Sequence, residues 1–144
     1  MSQVAVQQHE LPRSERNLYL WFIGIGFAHL MVGLFLGFMQ GMQHAGIDLY
    51  RTIPIVRHYY QGLTAHGVFN VMIFTTFFIA ALLLFVTRTS LKKPLNLKLG
   101  WTTFWVMTVG VILVDYSIFT NQASVLYTAY APLQAHWPFY LGAL

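Results

Sequence analysis

The stretch Tyr59–Thr87, YYQGLTAHGVFNVMIFTTFFIAALLLFVT, runs for 29 residues without an Asp, Glu, Lys or Arg. A helix crosses the hydrocarbon core of a bilayer in about 20 residues, so a run of this length and apolarity reads as a membrane span. Two further uncharged runs flank it, Leu18–Gln40 and Leu99–Val114. The first is long enough to span by the same measure. The second is short, but Asp115 can sit at the membrane interface and Tyr116–Phe119 can carry the helix past it. The sequence therefore predicts an all-α integral membrane protein, a transmembrane helical bundle with spans at about 18–40, 59–87 and 99–119.

Composition points the same way. Of 144 residues, 57% are hydrophobic and 8% charged, against about 25% charged in a soluble domain. The lead before the first run is polar and mixed in charge, unlike the basic stretch, short apolar core and cleavage site of a secretory signal. Residues 1–17 read as a cytoplasmic N-terminal segment and 18–144 as one transmembrane unit. The absence of cysteine excludes disulfides and thiolate metal sites. A metal would have to be held by His, Met, carboxylate or a cofactor, and the six histidines are the leading candidates.

The net charge of +4 does not gather on one hydrophilic face, so no nucleic-acid partner is expected. Arg13 and Arg16 precede the first span and Arg88, Lys92, Lys93 and Lys98 follow the second; only Arg51 and Arg57 lie on the other side. The positive-inside rule then puts the N-terminus in the cytoplasm. His66, about seven residues into the second span, falls roughly 10 Å below the outer surface at 1.5 Å per residue. A Gly-rich phosphate loop, a Ser–His–Asp arrangement and an HExxH motif are all absent, which removes support for hydrolases and nucleotide enzymes.

In the first span, Gly26, Gly33, Gly37 and Gly41 are spaced seven, four and four residues apart, along one stripe of a helix. Such a stripe admits a second helix at close range, although glycine is also frequent in membrane helices generally. The loops Gly41–His58 and Leu91–Lys98 have helix-ending compositions. The segment Asn121–Pro138 is uncharged and holds Tyr127, Tyr130, His136 and Trp137, which suits the interface or a cover over something apolar. Phe139–Leu144 reads as the apolar start of a fourth helix.

Around His66 the helix-spaced neighbours Tyr59, Gly62, Leu63, Phe69, Asn70 and Ile73 share one face. A haem lying against a helix needs an outward imidazole, a small residue for close approach and an apolar group over the ring; His66, Gly62 and Phe69 supply these. The second ring nitrogen of such a ligand needs an acceptor, and the Gly62 carbonyl is the nearest on the same helix. A lone membrane histidine can equally be a hydrogen-bonded packing residue, though ionisable groups at this depth are functional candidates by default. His29 lies on the glycine stripe at a similar depth, which leaves open a bis-histidine haem as well as a neutral packed histidine. Asp115, at the outer end of the third span, reads as reaching water. His9, His44, His58 and His136 read as solvated surface residues.

The segment HYYQGLTAHGVFNVMIFTTFF resembles the second helix of subunit I of B-type haem–copper oxygen reductases, the ba-type terminal oxidases. The TAHG core is shared more widely among haem–copper oxidases, while YYQGL before it and VFN after it look B-type. A second match, ASVLYTAYAPLQAHWPFYLGA, is similar to that family's segment joining helices 3 and 4, and VGLFLGFMQ in the first span is compatible. The likeness runs from about Leu18 to the end of the sequence.

The resemblance implies part of a bundle of twelve or more helices that reduces oxygen to water and pumps protons, in a prokaryotic cytoplasmic membrane. It makes His66 an axial ligand to the iron of the low-spin haem b, and places Gly62, Phe69 and Tyr127 in the haem surroundings. It gives His29 no ligand role. The second haem b ligand, the ligand of the high-spin haem, the copper histidines and the crosslinked tyrosine belong to helices outside this sequence. This chain is therefore expected to hold no catalytic residue of its own, and to need the remaining subunit I helices, in the same gene product or on a separate chain. Further implied partners are a copper-bearing subunit II, a small single-helix subunit, and cytochrome c or quinol as electron donor. Two other readings remain at this stage: a small bis-histidine cytochrome b built from His29 and His66, and a non-catalytic accessory membrane subunit.

Overall fold

The computed structural model describes residues 11–129 and 131–144; His9 and Tyr130 fall outside them. Three described helices are long and apolar enough to cross a membrane: α1, Arg13–His44; α2, Tyr59–Leu91; and α3, Leu97–Phe119. All three predicted spans are present, and each helix overruns its expected bounds at one end or both. Hydropathy marks where lipid replaces water, whereas the i→i−4 hydrogen-bond ladder continues through any helix-compatible residues beyond it. A short α4, Trp137–Ala143, carries Pro138 in its first turn and begins where a fourth helix was expected.

Side chains set the helix starts. His58, extended at the N-cap of α2, accepts the Gln61 N–H on Nδ1 at 3.3 Å. Its Nε2 donates to Asn121 Oδ1 at 2.8 Å. His58 is thus a cap and a tie to the α3–α4 loop, not the solvated histidine expected. Asn96 caps α3 by accepting the Leu99 N–H at 3.2 Å. Glu15, in the first turn of α1 and 2% exposed, accepts from Arg88 Nε at 3.0 Å and from the Leu95 N–H at 3.1 Å. One carboxylate therefore fastens the start of α1 to the end of α2 and to the α2–α3 turn, with both of its oxygens satisfied.

The glycine stripe of α1 faces α2. A Cβ on Gly26 would touch Phe74 and Phe77 at 3.4 Å, one on Gly33 would collide with Asn70, and one on Gly37 would meet the His66 ring at 2.6 Å. Gly41, the fourth member, has open space. The close approach thus covers three of the four expected positions and ends where α1 outruns α2. Farther along, one aromatic ring from each span meets in a single cluster: Phe22 lies 5.2 Å from Phe104 and 5.7 Å from Phe77. All three are almost fully buried, and such tilted and edge-to-face contacts add to the burial itself.

Within α2 the seven residues Val68–Phe74 form a π-helix, which the sequence reading did not anticipate. Short π segments inside α-helices are rare and recur at functional sites. This one begins two residues after His66.

Candidate functional site

The residues of the TAHG stretch divide their contacts among three neighbours. Buried Gln61 donates from Nε2 to the Ile118 carbonyl at 2.7 Å and accepts the Arg57 N–H at 2.7 Å. Buried Thr64 donates to the Tyr60 carbonyl and accepts the Leu126 N–H at 3.0 Å. Gly67 leaves room for Tyr127, whose Cδ1 would stand 2.9 Å from a Cβ there. Gln61, Thr64 and Gly67 therefore dock the end of α3 and the following loop onto α2. Sequence reasoning named Gly62, Phe69 and Tyr127 but missed Gln61 and Thr64; the signal was two polar residues three apart inside an apolar run.

Gly62 faces outward from the docked loop, and the space over it is taken by Tyr50, whose hydroxyl would lie 2.6 Å from a Cβ. Tyr50 belongs to the 3-10 turn Leu49–Arg51, held by Asp48 accepting the Tyr50 N–H at 3.1 Å. Burial, and then the neighbouring Tyr59, pushes the Tyr50 phenol above its ordinary range. Phe69 is 1% exposed, its ring 5.3 Å from His29 and 5.9 Å from Phe119. Tyr127 is half exposed. Each of the three sits within a few residues of His66 on α2 or against it, yet Gly62 and Phe69 are packed against protein.

His66 leans across α1. Its Nδ1 lies 2.8 Å from the Gly33 carbonyl oxygen. A carbonyl can only accept, so Nδ1 carries the proton and donates it. The expected acceptor, the carbonyl of Gly62 on the same helix, is replaced by one from the facing helix, because Gly33 and Gly37 let the ring lie flat between the two backbones. The Asn70 amide nitrogen is 3.1 Å from the same Nδ1, while Asn70 Oδ1 is buried without a partner. Turning that amide over would aim its oxygen at the donor, and amide orientation is set by such networks.

With Nδ1 committed, the lone pair of the half-buried ring is on Nε2, which makes no hydrogen bond among the described residues. An imidazole whose second nitrogen is fixed by a carbonyl is the arrangement of a metal ligand with its supporting shell. Among the described residues no three His, Cys, Asp or Glu side chains converge on a common metal position. A bare ion would thus find one ligand here, whereas a haem brings four nitrogens of its own and needs axial donors only. The donor set fits one axial position of a haem iron.

His29 does not supply the other. Its Nδ1 bonds the Ile25 carbonyl at 2.8 Å and its Nε2 lies 3.2 Å from Asp115 Oδ2. Both nitrogens are occupied, which argues against the bis-histidine arrangement. Asp115 likewise departs from the expectation that it reaches water: it turns inward to α1, and its Oδ1 is buried without a partner.

A bundle of apolar spans with one histidine poised for an axial iron position defines the class of membrane haem proteins, and the comparisons narrow it. Residues 17–144 match the family model described as cytochrome c and quinol oxidase polypeptide I. The chain is similar to the cytochrome c oxidase subunit 1 of Thermus thermophilus, 37% identical over 97% of this chain and 26% of that protein. It also superposes on a chain from a solved heme-copper terminal oxidase dimer with a TM-score of 0.83 and 38% identity, covering 93% of this chain and 23% of that one. This chain belongs to the haem–copper oxidase subunit I family. It spans about a quarter of the length of the relatives it matches.

Proposed function

We propose that this chain forms the first three spans of the catalytic subunit of a B-type oxygen reductase and that His66 is an axial ligand to its low-spin haem b. The observation that carries this reading is the 2.8 Å bond from His66 Nδ1 to the Gly33 carbonyl, which directs the free lone pair to Nε2. The YYQGL and VFN flanks of the TAHG core support the B-type assignment. When bound, the haem supplies one-electron transfer toward the oxygen-reducing centre. This chain's part is to orient: Gly33 fixes the tautomer, Gly37 sets the height of the ring, and Gln61 and Thr64 hold the loop that places Tyr127 beside Gly67.

In this reading Gly62, Phe69 and Tyr127 shape the haem surroundings, Gly62 and Phe69 through the Tyr50 and His29 side chains packed on them. The second haem b ligand, the high-spin haem and the copper centre are held by the remaining subunit I helices. A subunit II bearing copper, a small single-helix subunit and cytochrome c or quinol complete the assembly, which reduces oxygen to water and pumps protons. The chain lies in a prokaryotic cytoplasmic membrane with residues 1–17 on the cytoplasmic side.

The test is a reduced-minus-oxidised spectrum of the full complex. His66→Ala removes an axial donor that a methyl group cannot replace, so the low-spin haem b signal should vanish; His29→Ala should keep it. Persistence of the signal in His66→Ala would overturn the assignment.

A further inference from the structure

Between Leu20 and Gln43, Gln61 and Thr87, and Leu99 and Phe119 the sequence has four titratable side chains: His29, His66, Asp115 and Tyr116. Tyr116 is exposed, and His66 is committed to Gly33. The remaining two, from helices whose positions differ by 86 residues, meet at 3.2 Å. Ionisable groups at membrane depth are functional candidates by default, and two that find each other there are a site to be explained.

Hydrogen-bond chemistry states what this pair holds. The Ile25 carbonyl facing Nδ1 can only accept, so Nδ1 keeps its hydrogen. Nε2 would then be a bare lone pair in a neutral ring, and it faces a carboxylate oxygen, also an acceptor. The contact is a hydrogen bond only when one more proton is present, on Nε2 or on Oδ2. Loss of that proton sets two lone pairs against each other in a medium of low dielectric. The buried, unpartnered Asp115 Oδ1 adds to the same demand, since an uncompensated carboxylate there is costly.

The pair is one helical turn from the His66 bond. Gly33 donates its N–H to the His29 carbonyl within α1, as the helix ladder requires, and accepts from His66 on its own carbonyl. One peptide group thus joins the two sites, and the Phe69 ring fills the space beside His29. From α2 the only titratable groups near are His66 and, beyond it, none before Arg88; from α3 Asp115 is joined only by Tyr116.

We propose that His29 and Asp115 form a one-proton site whose occupancy follows the oxidation state of the haem held by His66, an inference that rests on the function proposed above. One-electron reduction by the enzyme's electron donor adds a negative charge near the pair, and one proton is taken from water to the Nε2···Oδ2 bond. Reoxidation sends the electron onward and the proton back to water. Only an N–H or O–H bond is made and broken.

The test is the midpoint potential of the low-spin haem b signal against pH, measured on the full complex. In the unsubstituted protein the potential should fall with rising pH, since a protonated pair stabilises the added electron. Asp115→Asn and His29→Gln should flatten that dependence over the same range, because neither leaves an imidazole facing a carboxylate. Asp115→Glu, which keeps the carboxylate, should retain the slope at a displaced pH. A flat profile in the unsubstituted complex overturns the proposal by itself, as does an unchanged slope in Asp115→Asn. Should the two neutral variants fail to assemble, an undisplaced profile in Asp115→Glu overturns it. A low-spin signal that survives His66→Ala would instead remove the premise, a separate and recognisable failure.

Discussion

The imidazole of His66 rests on the backbone of Gly37: a Cβ at position 37 would stand 2.6 Å from its Cε1 and 2.7 Å from its Nδ1. The ring is held from α2 but located by α1, so its height above the helix axis is a property of the pair. Gly37→Ala should push the ring away and break the Gly33 bond. We expect a loss of about 1–3 kcal/mol, typical of overpacking, with a weakened or displaced low-spin haem signal in the assembled complex. Gly41→Ala, which meets open space, is the control and should leave both unchanged.

At the opposite end of α1, Glu15 is buried and bonded on both oxygens. Arg88→Met would leave a carboxylate without its cation, a class of change that costs about 3–5 kcal/mol. The thermal stability of the complex should fall accordingly. Glu15→Gln should be milder, because the Leu95 N–H keeps an acceptor and no charge is stranded. Equal losses in the two variants would show that charge is not what matters there.

Gln61 bonds the Ile118 carbonyl and the Arg57 N–H from a fully buried position. Gln61→Leu keeps the volume and removes both bonds, stranding a donor and an acceptor at about 1–3 kcal/mol. The loop after α3 should then be cleaved more readily by protease, while the spans remain intact.

The division of basic residues, six against two, predicts that the loop Asn121–Pro138 is on the outer face. A reporter inserted in that loop should be accessible from outside the cell, and labelling from the cytoplasmic side alone would reverse the topology.

Apolar length located the three spans because lipid imposes one criterion on every residue of a spanning helix. It could not locate their ends, since Arg13, Glu15 and Arg88 are helical as well as charged. The glycine stripe was legible through its spacing, and Gly26, Gly33 and Gly37 do lie under α2. The partner of His66 was not legible, because a 3.6-residue period describes one helix and the Gly33 carbonyl comes from another. For the same reason His29 and Asp115 read as unrelated: nothing in either helix alone reports that their side chains meet. Gln61 and Thr64 were overlooked where hydropathy averaging hides single polar residues, although their three-residue spacing marked a face with something to bind.

The π-helix Val68–Phe74 has a consequence for chain length. A π turn accommodates a residue more than an α turn, so deleting one residue from this segment would allow α2 to close up into a regular helix. His66 lies before the segment and would keep its seat on Gly37. Everything after it would be turned by about 100° about the helix axis, the angle of one residue. Phe77 would swing away from Phe22, and Arg88 away from Glu15. The extra residue thus acts as a phase adjustment between the two halves of α2: one half is set to the haem-ligand side chain and the other to the aromatic cluster. Relatives could keep every contacting side chain and still lose the fold by being one residue short.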